Sequence, residues 1–164
     1  MRKEKEDELL SAYRLCGSVC AYFAAGRVIR SVTLDGHRDE GKGRVSLTSQ
    51  QPDRPVTRET TELKIMSAFA GEIAESCFSQ QRKPGFDPDA VDRVVYDVAH
   101  SATGSEEECR AYLCWLWERA ICIFDTPGVW HAVSGMASEL VQKRSVDGKR
   151  AKILYDQALQ QAKY

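Results

Sequence analysis

The chain has 164 residues, a length at which roughly two-thirds of the unfolded surface is buried on folding, so a core needs no disulfide or metal staple. Charged residues make up 29% and hydrophobic ones 43%, and a net charge of −1 offers no overall attraction for nucleic acid or an anionic membrane. The charged first eight residues lack the apolar core of a secretion signal, no apolar run approaches the ~20 residues of a membrane span, and residues 41–46 lack phosphate-loop spacing. The expectation is a single cytoplasmic domain, 1–164, with no cofactor, no nucleic acid and no membrane contact.

From about residue 4 to residue 25, the apolar positions Leu9, Tyr13, Cys16, Cys20 and Ala24 recur every three or four residues, and Gly26 suits the left-handed position after a helix end. Arg14 and Ser18 fall at one edge of this stripe with Leu10 and Ala21. Gly17 reads as a point of close helix contact. The β-branched run 28–34 reads as a strand, residues 35–43 as a polar loop containing a solvated His37, and residues 44–48 as a returning strand. The span 49–58, with Pro52 and Pro55, reads as a loop.

A second helix is expected over 59–80, with Leu63, Met66, Phe69, Ala70, Ile73, Ala74 and Cys77 inward. Asp87 and Pro88 suit an N-cap and first helical position, predicting one helix to His100 with Val91, Val94, Val95 and Val98 buried. Ser105 and Glu108 form a capping box for a helix to Phe124, whose stripe includes Tyr112, Cys114 or Trp115, Trp117 or Glu118, and Ile121. Thr126 and Pro127 open a further helix to about Lys143. Residues 145–148 read as a turn, and Asp147 caps a last helix over 148–161. Lys149, Arg150 and Lys152 at its start oppose the helix dipole, a hint of an acidic partner beside the plainer reading of a solvated basic face. The architecture expected is mainly α, with a small N-terminal β-hairpin or sheet.

The six cysteines contain no C-x-x-C pair and read as free buried thiols, although Cys16 and Cys20, four apart, share a helix face. A thiol nucleophile at Cys16 needs a base within hydrogen-bond reach, for which His100 and His131 are the candidates.

The stretch Ala12-Tyr-Arg-Leu-Cys-Gly-Ser followed by an apolar tail resembles the active-site helix of the FtsH-type zinc metalloproteases, where Ala-Tyr leads into His-Glu-Ala-Gly-His. Ala70-Gly71-Glu-Ile-Ala74-Glu75 is similar to the family's Ala/Gly-Gly-x-x-Ala-Glu segment, and residues 112–119 resemble a late helix of its small stand-alone members. In this alignment the first histidine falls on Arg14, the glutamate on Leu15 and the second histidine on Ser18. The family's third ligand, an aspartate, falls on Val91 by counting back from Ala99, and on Asp92 with a shift of one. Glu75 is either a remaining supporting carboxylate or a charge with a basic partner.

The resemblance implies a zinc-metallopeptidase-like helical domain, without ATPase or membrane segments, that lacks both the metal ligands and the general base. Arg14 keeps its charge at any ordinary pH and repels a dication, Leu15 has no titratable group, and Ser18 is a poor zinc ligand. The function expected is that of a pseudopeptidase, a binding or regulatory module with a protein or peptide partner, in which an anion would complement Arg14. The alternatives are an active hydrolase with rearranged ligands, a thiol hydrolase using Cys16, or a purely structural subunit.

Overall fold

The computed structural model describes residues 1–35, 43–47, 56–80 and 82–164. His37 and most of the two expected loops lie outside the described residues.

Helix α1 (Arg2–Ala24) ends in a Schellman turn: Gly26, at φ +70°, donates to the Phe23 carbonyl at 3.0 Å, and Arg27 donates to Tyr22 at 2.9 Å. That turn delivers the chain to β1 (Ile29–Thr33), which pairs antiparallel with β2 (Arg44–Leu47). Helix α2 (Arg58–Gln80) returns along α1. After a 3-10 turn (Pro88–Ala90) come α3 (Arg93–Ser101), α4 (Glu106–Asp125), α5 (Val129–Lys143), β3 (Ser145–Asp147) and α6 (Gly148–Gln161). The fold is mainly α with a three-stranded antiparallel sheet ordered β2-β1-β3.

Four expectations are corrected. The predicted helix to His100 is broken at Val91 and Asp92, because Asp87 caps only the 3-10 turn and Asp92 caps α3 by accepting from the Val94 N–H at 2.9 Å. Each aspartate makes its own start, and Val94 emerges 62% exposed. The α4 stripe is Cys109, Leu113, Leu116, Trp117, Ala120 and Ile123, which leaves Cys114 and Trp115 outside. The 145–148 turn is in fact β3, held by pairing to β1 with Val146 opposite Val32. The helix after it starts against the sheet, where a Cβ on Gly148 would lie 1.9 Å from the Ile29 carbonyl. Cys16, Cys20 and Cys109 are buried free thiols, but Cys114 and Cys122 are exposed.

The capping box of α4 forms in a shifted way: Ser105 Oγ accepts from the Glu108 N–H at 3.1 Å, while Glu108 accepts from Gly104 at 2.7 Å. The basic start of α6 is answered within the chain, Arg150 by Glu139 and Lys152 by Asp156.

Two apolar clusters fill the interior. One gathers α1, the sheet, α5 and α6 around Cys16, Val32, Met136 and Leu140; the other gathers α2, α3 and α4 around Phe69, Ile73, Leu113 and Leu116. Met66 and Phe124 touch both clusters. The α1–α2 pair is the seam between them.

Candidate functional site

Small residues let α1 and α2 touch backbone to backbone. A Cβ on Gly17 would fall 2.5 Å from the Ala70 carbonyl oxygen and 2.6 Å from the Ala74 Cβ, and one on Gly71 would fall 2.8 Å from Ser18 Oγ. The expected close contact at Gly17 is therefore present, and the Ala70-Gly71 and Ala74 spacing is what its counterpart helix needs. Ser18 Oγ adds a hydrogen bond across the seam, donating to the Ser67 carbonyl at 2.8 Å, an interaction of about 1 kcal/mol.

The crossing brings Arg14 over α2. Its guanidinium donates to Glu75 Oε2 at 3.0 Å and lies 3.8 Å from Glu72 Oε1. Arg14 is 53% exposed, so each pair stabilises by no more than about 1 kcal/mol and acts mainly by fixing where the charges point. The anion complementing Arg14 is thus supplied by the chain itself. Glu75 has its basic partner, and Glu72, three residues earlier on the same helical face, is the site residue the sequence reading missed. A Glu-x-x-Glu spacing beside a close-contact glycine was the available signal.

Leu15 is half-buried, packs on the core and sits beside Gly43 at the start of β2. From it two open hollows extend. One, of about 470 Å³, holds Arg14, Ser18 and Glu75; the other, of about 420 Å³, runs between β2, α2 and α3 over Val45, Ile65, Val94, Val95 and Val98, with Asp92 at its edge. Leu15, Ser18 and Gly43 line both, so they form one continuous groove. The structure brings Arg14, Leu15, Ser18, Glu75 and Asp92 together around it, whereas Val91 does not line either hollow.

The groove's charges are unevenly matched at the Arg14 end. Burial raises the Glu72 carboxyl above the usual carboxylate range; Arg14 opposes the shift, while Asp92 and Glu75 reinforce it. One guanidinium therefore serves two carboxylates, Glu72 and Glu75. Towards β2 the polar lining changes to Arg44 and Lys64.

The remaining chemical candidates lie elsewhere. Cys16 is fully buried in the first core cluster, and burial pushes its thiol well up, so a thiolate nucleophile there is disfavoured. Cys20 is buried beside it and is likewise raised. His100 stacks on Tyr96 at 5.8 Å and is exposed on α3, and His131 is exposed on α5. Among the described residues no three His, Cys, Asp or Glu side chains converge as ligands for a metal ion. No described helix is long and apolar enough to cross a membrane.

The chain matches no protein-family model and no curated protein sequence.

Proposed function

We propose that this protein is a cytoplasmic pseudopeptidase: a zinc-metallopeptidase-like scaffold of the FtsH type that binds a protein or peptide segment in the α1–α2–α3 groove and does not hydrolyse it. The observation that carries this reading is the employment of the three key positions. Arg14 is ion-paired to Glu72 and Glu75, Leu15 packs into the core, and Ser18 is bonded to the Ser67 carbonyl. Those roles leave none of the three side chains free to ligate a Lewis acid or to act as a general base.

The groove itself supports binding. Its floor is apolar, Val94 stands exposed over it, and at one end two carboxylates, Glu72 and Glu75, share one cation. A partner segment with aliphatic side chains for the valines and a lysine or arginine for the Glu72 end fits that distribution.

Elemental analysis of the purified chain, run beside a casein and short-peptide cleavage assay, tests the reading. The expected result is substoichiometric zinc and no cleavage above a heat-treated control. One tightly held zinc per chain, or cleavage abolished by a chelator, overturns it.

A further inference from the structure

A single line of residues on α2 runs the length of the groove and changes sign along it. Lys64, Ala68, Gly71 and Glu75 follow one another at i, i+4, i+7 and i+11, so they lie on one stripe of the helix. That stripe faces the groove. Lys64 and Ala68 line the valine-floored hollow, a Cβ on Gly71 would meet Ser18 and Arg14, and Glu75 lines the hollow around Arg14.

At the Glu75 end, two carboxylates share the one guanidinium of Arg14. At the other end the balance reverses. Arg44, from β2, and Lys64 both line the valine-floored hollow and both are exposed. Among the described residues neither side chain has an ion pair or a hydrogen bond. The carboxylate on that hollow, Asp92, is engaged as the cap of α3, accepting from the Val94 N–H at 2.9 Å.

We infer, on the footing that this groove binds a peptide, that its occupant is an extended segment with a basic and an acidic side chain four positions apart and an aliphatic one midway between them. The basic side chain sets against Glu72 and Glu75, and the acidic one against Lys64 and Arg44. Eleven residues of helix separate Lys64 from Glu75 by about 16 Å. In an extended chain, alternate side chains share a face, and positions four apart stand about 13 Å from one another. The stem of a lysine or arginine spans the remaining few ångströms. The midway side chain then falls near Ala68, within the apolar lining of Ile65, Val95 and Val98. A segment with two like charges meets one end of its own sign, so the groove discriminates by repulsion as well as by attraction.

Fluorescence anisotropy at low ionic strength tests this with three labelled peptides, each with blocked ends. One carries Lys-Ser-Val-Ser-Glu; in the others, lysine or glutamate occupies both charged positions. The full chain should bind the mixed peptide about threefold or more tighter than either control. In Lys64→Glu, with circular dichroism checking the fold, the preference should pass to the doubly basic peptide. Equal affinity for the three peptides, or a preference that Lys64→Glu leaves unchanged, overturns the inference while groove binding stands. Binding of none of them overturns both the inference and the peptide-binding reading beneath it.

Discussion

Two carboxylates in helix seams behave in opposite ways. Glu139, on α5, is 12% exposed and is held by two cations: Arg150 donates to both of its oxygens at 3.0–3.2 Å, and Lys143 reaches it at 2.7 Å. Those hydrogen bonds, led by Arg150, hold its carboxyl below the usual range. Glu72, on α2, shares one more distant guanidinium with Glu75 and has Asp92 nearby, and burial holds its carboxyl above that range. The α5–α6 seam closes its charges within the fold. The α1–α2 seam is closed by backbone contact, and beside it Glu72 and Glu75 share the single guanidinium of Arg14.

If backbone proximity holds the α1–α2 seam, adding one methyl there is the most damaging small change. In Gly17→Ala the new Cβ meets the Ala70 carbonyl and the Ala74 Cβ, neither of which can swing away as the tip of a flexible side chain could. A loss of about 2–3 kcal/mol in urea unfolding is expected. A loss under about 0.5 kcal/mol would show that the helices separate easily and that Arg14 and Glu75 are not fixed by the crossing.

The α5–α6 seam should break electrostatically instead. Glu139→Gln removes the acceptor charge for Arg150 and Lys143, and a loss of about 1–2 kcal/mol at neutral pH is expected, with both cations partly solvated. Because the folded-state pKa is lowered, this contribution is complete above the ordinary carboxylate value and fades as pH falls through the lowered one. Thermal melts of the variant and wild type should therefore converge in acid.

What could be read from the sequence follows the range of the forces involved. Helices α1, α2, α5 and α6 and the hairpin carry their signals locally: periodicity, a C-terminal glycine at Gly26, a cap at Asp147. Strand β3 does not, since three residues become a strand only by pairing with a β1 that lies over a hundred positions earlier. The α4 register slipped because Cys114 and Trp115 are apolar by type yet sit on the outer face. At the groove, Arg14, Ser18 and Glu75 were visible by position. The pairing of Arg14 with Glu75 and Glu72 was not, because a charge's partner across two helices depends on the crossing, and the crossing is set by Gly17 and Gly71 together.

The smallest effect is also the one that separates the two seams most sharply. As pH rises through the ordinary carboxylate range, the unfolded chain loses the Glu72 proton first while the folded chain retains it, so folding is disfavoured until the raised value is passed, and the cost then stays constant. Glu72→Gln removes a charge whose nearest cation is 3.8 Å away and already engaged by Glu75 at 3.0 Å. At neutral pH the variant should therefore be as stable as the wild type or more so, by about 0.5 kcal/mol, with the gain vanishing below the ordinary carboxylate value, where both forms are neutral. That dependence mirrors Glu139→Gln with the sign reversed. A clear loss of stability at neutral pH would mean that Arg14 offsets the burial of Glu72 in full. The Arg14 end of the groove would then be as closed electrostatically as the α5–α6 seam, and its two carboxylates would no longer argue for a basic partner.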